Sequence, residues 1–354
     1  MNTSRRTLRW VIAHHPARLF VRTAEKFRLE LEKECPGEFD IEIYTMSTYQ
    51  NKYNNHPEFS LIPPNLTGLE EMQKEWVAMD GKKIQLVEVD QWSDIKTKWQ
   101  GLFNGLRQGD FEITQTQVTI IGSHLDRNFH AIDLPFLFDD HDHVSRVLDG
   151  EIGDALCAGL SEKADIRGLA FTYSGGYRVI GTKEAVTNLS ELAETHLLTH
   201  TAHSDQLFQG VGANTITKHK SDISDLADIA GKNNGAVETT YLRFSGKHVY
   251  KTEHSMFTTT ILTGNSFWNT LTPKQQASFL KIAKIVAIAE REWSVADAEK
   301  YEADALAAGI SIADISEEDR AKLKLASQSV YANLDKFGID ADLVNQIIDK
   351  KTLH

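Results

Sequence analysis

The chain has 354 residues, of which 41% are hydrophobic and 25% charged, and a formal net charge of -12. That length suits two domains, or one elongated molecule of two lobes. An acidic chain is a poor candidate for nucleic acid, whose affinity comes from phosphate neutralisation by Lys and Arg, and for a polybasic membrane binder. No apolar run approaches the length of a membrane span, so no direct membrane insertion is expected. Residues 1–9 are short and basic and run directly into Trp10-Val11-Ile12-Ala13, without the apolar core and small-residue cleavage site of a secretory signal. Either a signal was cut away before this numbering, or the protein stays in the cytoplasm. Cys35 and Cys157 sit in separate helical patterns with no C-x-x-C pair, and buried free thiols are the expectation.

Leu8 to His14 reads as a strand. Pro16 to Glu32 reads as a helix with Leu19, Phe20, Ala24, Phe27 and Leu31 on one stripe. Phe39 to Tyr44 alternates apolar and polar residues as a half-buried strand does, and Ile84 to Val89 repeats the pattern. Ser93 can cap a helix carrying Ile95, Trp99, Leu102, Phe103 and Leu106, and Phe111 to Ile121 reads as extended. This β-α-β-α-β order predicts an α/β lobe with a largely parallel sheet. Residues 50–81 hold Asn-Asn-His-Pro and Pro63-Pro64-Asn65, and read as a long loop or insertion, which in a compact domain is usually functional or mobile.

Ala131-Ile132-Asp133-Leu134-Pro135-Phe136-Leu137-Phe138-Asp139-Asp140 reads as an apolar turn followed by a helix start. Asp139 or Asp140 can cap that helix, since a carboxylate there accepts from free backbone N–H groups. The cluster from Asp139 to His143 reads as a solvated helix start. A second unit begins near Tyr173, with extended candidates at Arg178–Gly181, His196–Thr201 and Ala236–Thr240 and helices at Ser204–Val211 and Ser221–Ala230, the last closed by Gly231. Met256 to Leu262 is a β-rich run that returns to the first lobe. Thr272 and Gln275 match a capping box with Pro273 at the first helical position, and periodicity continues to about Ala308. A helix this long can brace two lobes. Two more helices follow, capped near Ser316 and Asp340.

No G-x-S-x-G, H-E-x-x-H, phosphate loop or properly placed G-x-G-x-x-G is present. Gly175-Gly176 reads as a flexible turn. His196, His200 and His203 make a metal site conceivable, but no Cys or carboxylate completes it locally, and pocket or surface histidines are the plainer reading. Neither metal nor cofactor is called for. His14 and His15 end the first strand, where ligands collect in open α/β sheets. Gln115 and Gln117 share one face of an otherwise apolar strand. If buried they need partners, which a bound polar solute would supply; a solvent-exposed face is the alternative.

The Leu-Pro-Phe-Leu-Phe run with its acidic residues, followed by Asp149-Gly150-Glu151-Ile152-Gly153, resembles the signature turn of the DctP family, the solute-binding proteins of TRAP transporters. The resemblance continues at Tyr177-Arg178, Ser190-Glu191-Leu192, Leu207-Phe208 to Gly212-Ala213, Lys218 to Asp222, Asn234 to Thr239, Glu253-His254-Ser255 and Phe267-Trp268-Asn269-Thr270-Leu271-Thr272-Pro273. It covers the chain outside residues 50–81, where the family's connection is shorter. It departs at the strand where the family carries an arginine that grips the ligand carboxylate: His196-Leu197-Leu198-Thr199-His200-Thr201 contains none, and Leu198, Thr199 or His200 holds the place.

What the resemblance implies is a two-lobed periplasmic-binding-protein (Venus-flytrap) α/β architecture with a long helix spanning both lobes. One lobe is expected from residues 1–174 and about 258–292, the other from about 175–257 and 293–354. The implied function is capture of a small organic acid in the interlobe cleft and its delivery to TRAP-type membrane permease subunits, by a periplasmic monomer without catalysis. Arg178 is the main anion partner expected, helped by Lys220 or His200; support of the hinge is the alternative for Arg178. Matched contacts place Ala13 or His14, Gln115 or Gln117, Thr199, Glu238 and Thr239 around the ligand. The rivals are a ligand-sensing receptor domain, an enzyme using His200, Glu238 and Arg178, and a binder of a neutral or cationic solute, which the absent strand arginine permits.

Overall fold

The computed structural model describes residues 5–13, 17–45, 87–88, 98–217, 235–240 and 248–351. His14, Lys220, the 50–81 segment, the Ser93 cap, the 221–230 helix and Gly231 lie outside them. Strands β1 (Arg6–Ile12), β2 (Phe39–Thr45), β3 (Val87–Glu88), β4 (Ile113–Gln117) and β5 (Ile166–Tyr177) belong to a first six-stranded sheet. Strands β6 (Val179–Thr182), β7 (His196–Thr199), β8 (Asn214–Thr217), β9 (Gly235–Thr239) and β10 (His248–Lys251) belong to a second. β11 (Met256–Gly264) returns to the first, in the order β3-β2-β1-β4-β11-β5; β12 (Ser311–Asp314) completes the second, in the order β12-β10-β6-β9-β7-β8. The returning strand makes the first sheet mixed rather than largely parallel: β1, β2, β3 and β4 pair in parallel, while β11 runs antiparallel to both β4 and β5.

Alternation along β1 decides its packing. Leu8, Trp10 and Ile12 face helix α1 (Ala17–Glu34) in one apolar cluster, and Val11 and Ala13 join a second cluster on the opposite face. That second face is covered by α2 (Lys98–Gln108), α3 (Val118–His124) and the 3-10 turn Arg127–Asp133. The extended reading of residues 111–121 fails at Val118, where α3 begins. A run of apolar residues this short has no period to separate buried strand from buried helix.

Helix α4 (His141–Leu148) is capped by Asp140, whose Oδ1 accepts the His143 N–H at 2.6 Å. α5 (Glu151–Ala164) follows at once. The glycines of the Asp149–Gly153 motif are demanded by close approach: a Cβ on Gly150 would lie 2.6 Å from the Arg146 carbonyl oxygen, and one on Gly153 2.0 Å from that of Leu148. The start of α4 is not wholly solvated, because His143 is fully buried and its Nε2 bonds the Ile347 carbonyl at 2.9 Å. Helices α6 (Leu189–Ala193) and α7 (Ala202–Gln209) flank β7.

After α8 (Asn265–Trp268), α9 (Pro273–Ala307) runs for 35 residues, about 52 Å at 1.5 Å per residue. The Thr272–Gln275 capping box is present, with the Gln275 N–H to Thr272 Oγ1 at 3.3 Å and the Thr272 N–H to Gln275 Oε1 at 2.8 Å. Phe279, Ile282 and Val286 pack in the first-sheet cluster, whereas Ala298 and Tyr301 pack on Val179 and Val249 of the second sheet. One helix therefore touches both sheets. Of the final helices, α10 (Glu317–Tyr331) lies on the second sheet, where Asp319 Oδ2 accepts from the Leu189 N–H and Tyr250 hydroxyl. α11 (Leu334–Phe337) leads to α12 (Ala341–Ile348), which returns to the first-sheet side at His143. Both cysteines are free and buried. Among the described residues no helix is long and apolar enough to cross a membrane.

The chain passes between sheets at the end of β5. Gly175 and Gly176, with φ of 95° and 71°, form a two-residue bulge inside the strand rather than a free turn, as Tyr173 pairs with Thr258 but Tyr177 with Met256. The bulge leaves backbone donors without a β11 partner, and α9 takes them. Ser294 Oγ accepts the Gly175 N–H at 2.7 Å and Glu290 Oε2 accepts the Tyr173 N–H at 2.8 Å. Glu290 Oε1 also faces Gln115 Nε2 at 3.4 Å. Burial pushes the Glu290 carboxyl up to about 8, against the lowering pull of the Tyr173 N–H, Arg291 and Gln115.

Two outcomes test this framework. A carboxyl raised in the fold stabilises while protonated, so stability is lost as pH rises from the ordinary carboxyl range near 4.5 through about 8. Glu290→Gln keeps an acceptor for Tyr173 and carries no charge. Its urea midpoint should exceed wild type at pH 8 by the equivalent of about 2 kcal/mol or more and match it near pH 5; a constant difference across that range would refute the assignment. Thr272→Ala should lower stability by about 1 kcal/mol through loss of the cap, read as a shifted midpoint with an unchanged slope.

Candidate functional site

Arg178 stands between β5 and β6, at the passage from one sheet to the other. Its N–H bonds the Ser255 carbonyl on the returning segment at 2.8 Å, so both crossings are tied together there. The side chain is 1% exposed and lies over the Phe257 ring at 4.3 Å. Its Nε and Nη2 donate to Asp133 Oδ1 at 3.1 and 2.9 Å, and Nε lies 3.5 Å from Glu238 Oε1. Asp133 ends the 3-10 turn on the first-sheet side; Glu238 lies on β9 of the second. One guanidinium thus joins a carboxylate of the turn on the first-sheet side to one on a strand of the second sheet.

Histidines end this arrangement. His203 Nε2, on α7, meets Asp133 Oδ2 at 3.0 Å, and His254 Nε2, on the returning segment, meets Glu238 Oε1 at 3.1 Å. The His200 N–H donates to Glu238 Oε2 at 2.7 Å. The result is a buried chain His203–Asp133–Arg178–Glu238–His254. Burial alone would raise the Glu238 carboxyl, but Arg178, His200 and His254 together hold it well below the usual carboxylate range. Among the described residues Arg178 Nη1 has no hydrogen-bond partner although it is buried.

The expected site residues fall in different places. Arg178, Glu238 and His200 come together. Gln115 is fully buried, with Nε2 donating to Thr172 Oγ1 at 2.7 Å and facing Glu290, so part of its polar demand is met by the long helix. Gln117 Oε1 accepts from Thr119 Oγ1 at 3.3 Å at the start of α3. Thr199 Oγ1 bonds the Ile216 carbonyl at 3.4 Å and Asp205 at 3.5 Å, towards β8 and α7. Thr239 Oγ1 donates to the Thr240 carbonyl at 3.4 Å. Sequence reasoning gave Asp133 and His254 no site role of their own and weighed His203 only as a metal-site candidate. For Asp133 a signal existed: it is the one charged residue between Phe129 and Phe138 apart from His130, and a carboxylate buried in an apolar run must be paired. His203 and His254 had no such signal, because nothing local marks their pairing with Asp133, 70 residues away, and with Glu238, 16 residues away.

The returning segment is also held by the Leu-Pro-Phe turn. The Phe136 N–H donates to the His254 carbonyl at 2.7 Å, and Phe136 and Glu253 both take left-handed φ, 56° and 47°. The motif that stood out first in the sequence therefore positions the histidine that ends the ionic chain. Backbone held in this region costs of order 1–3 kcal/mol per residue, and here that strain sits where the chain crosses between sheets.

The model of the DctP family, described as bacterial extracellular solute-binding protein, family 7, matches residues 60–223 and 235–336. An uncharacterised protein of Haemophilus influenzae is 25% identical over 177 residues, which cover 48% of this chain and 54% of that protein; the match spans about half the length of this curated relative. Among solved structures, a TRAP periplasmic solute binding protein from Haemophilus influenzae with bound L-gulonate superposes with a TM-score of 0.72 at 17% identity, covering 98% of this chain and 100% of that one. One from Shewanella oneidensis with bound succinate gives 0.71 at 14% identity, with the same coverages. These likenesses establish the two-lobed α/β fold. With two sheets linked by paired crossings and a family match over more than half its length, the chain belongs to the DctP family of bacterial extracellular solute-binding proteins.

Proposed function

We propose that this chain is the extracytoplasmic solute-binding protein of a TRAP-type transporter, capturing a small organic acid at Arg178 and handing it, chemically unaltered, to membrane permease subunits. The observation that carries this reading is Arg178 Nη1, a buried donor without a partner among the described residues at the crossing between sheets. A donor left so costs about 1–3 kcal/mol, and a carboxylate oxygen is the strongest acceptor for it. Relatives of the same fold hold L-gulonate and succinate, both carboxylates. Asp133 and Glu238 narrow the choice. They already set two negative charges beside one guanidinium, so a monocarboxylate with a hydroxyl-bearing body suits the site better than a dicarboxylate.

The lobes pivot at the two crossings, residues 174–178 and 252–257, with α9 as the brace. A solute that touches both lobes binds the closed form better and shifts the population towards it. The closed form is the one a permease would take up. His14, Gln117, Thr199, His200, Lys220 and Thr239 are the further lining groups of this reading, in a periplasmic monomer. Release of an unaltered solute asks for no acid–base pair.

A thermal-shift series with sugar acids, dicarboxylates and neutral sugars tests it. A solute at about a hundred times its dissociation constant adds roughly 2.7 kcal/mol, and L-gulonate-like acids should outrank succinate. Arg178→Lys keeps the charge but loses the planar fork. It should weaken binding about ten- to a hundredfold while the protein still folds. Stabilisation by neutral sugars alone, or unchanged affinity in Arg178→Lys, would overturn the proposal.

A further inference from the structure

The ionic chain through Arg178 has a charge imbalance. With both terminal histidines neutral it holds one guanidinium against two carboxylates. A solute anion arriving at Nη1 makes this three negative groups around one cation, all out of water, where like charges repel strongly. We infer that an anion captured at Arg178 brings a proton with it, taken up by His203 or His254 at the ends of the chain. The inference rests on the anion-binding reading above and deepens it.

The hydrogen bonds allow the uptake. A carboxylate only accepts, so His203 Nε2 and His254 Nε2 both carry hydrogen. The remaining nitrogen of His254, Nδ1, lies 2.8 Å from Thr252 Oγ1. That hydroxyl donates to neutral imidazole and, by rotating, accepts from imidazolium. Protonation therefore breaks no bond and gives Glu238 a second full positive neighbour. His254 otherwise faces the Phe208 ring from α7 at 4.9 Å. It also lines a cavity of about 370 Å³, whose charged groups are Asp139, Glu253, Arg320 and Lys324, with the titratable Tyr177. Arg320 there is engaged with Glu253 at 3.4 Å, and Lys324 lies 5.7 Å from the Phe136 ring, so neither supplies the missing charge at Arg178.

His203 is faced by Asp133 and by the His130 ring from the 3-10 turn at 5.4 Å, and by Phe337 from α11 at 6.0 Å. No carboxylate other than Asp133 is bonded to it among the described residues. Each terminal histidine thus has one carboxylate in contact, and a further negative charge brought to Nη1 favours the charged form of either ring. The solute's own carboxyl stays ionised throughout the neutral range.

The test is calorimetry with L-gulonate, and with the strongest acid from the thermal-shift series. Each is titrated at pH 7 in phosphate and in Tris, whose ionisation heats differ, together with dissociation constants between pH 6 and 8. A net uptake of about 0.3–1 proton is expected, with affinity weakening by up to about tenfold per unit as pH rises. His203→Gln or His254→Gln should abolish the uptake and flatten the profile; if neither variant folds, the wild-type proton count decides alone. Binding whose heat is the same in both buffers and whose affinity is flat with pH would overturn this inference and leave the anion site standing. Uptake that persists in both variants would also overturn it. Failure of every acid to bind at pH 6 would overturn both.

Discussion

Arg178 is the one cation on which the centre of this molecule depends. It is buried between two carboxylates, Asp133 of the turn on the first-sheet side and Glu238 of the second sheet, and it is the guanidinium both of them share. Removing water from three charges is expensive, and their mutual attraction offsets the cost only with good geometry and filled hydrogen bonds. Here nearly all are filled: Asp133 accepts from Arg178 and His203, and Glu238 from His254 and His200, with Arg178 Nε beside it as an ion pair at 3.5 Å. Among the described residues one guanidinium nitrogen, Nη1, is left without a partner. The proposed anion site rests on that buried donor.

The backbone explains why the network sits where it does. β5 must leave the first sheet, and the glycine bulge at Gly175-Gly176 lets it turn without breaking the strand. The donors that the bulge strands are taken by Ser294 and Glu290 of α9. The same helix continues to the second sheet, so the element that braces the two sheets also repairs the crossing. The Leu-Pro-Phe turn does the corresponding work for the returning segment by bonding the His254 carbonyl. Strain at Phe136 and Glu253 is held in place by these contacts.

Membership of the DctP family and the missing strand arginine bear on each other. The strand His196–Thr199 carries no arginine, and the Thr199 hydroxyl bonds towards Ile216 and Asp205. Arg178 is therefore already outweighed by Asp133 and Glu238. In the proposed reading that excess favours a solute of low charge and makes the surrounding imidazoles the adjustable part of the electrostatics.

Much of the fold was legible along the chain because it depends on local periodicity and capping. The α1 stripe, the alternation in β2, the Thr272–Gln275 box and the caps at Asp140, Ser316 and Asp340 are all decided by residues within a turn or two of one another. The switch from strand to helix at Val118 was not legible, since a short apolar run satisfies either conformation until its neighbours are in place. Nor was the bulge at Gly175, which exists only because β11 pairs on both sides of it. Arg178, Glu238 and His200 could be named from the sequence as polar groups in the right neighbourhood. Their joining into one chain with Asp133, His203 and His254 could not, because those contacts span up to 70 residues and arise only when two sheets are brought together. The sequence by itself determined the periodic elements, their caps and the family; the tertiary structure alone decided which charges Arg178 must neutralise and which of its nitrogens lacks a partner among the described residues, because burial and pairing are properties of the assembled crossing and not of any segment.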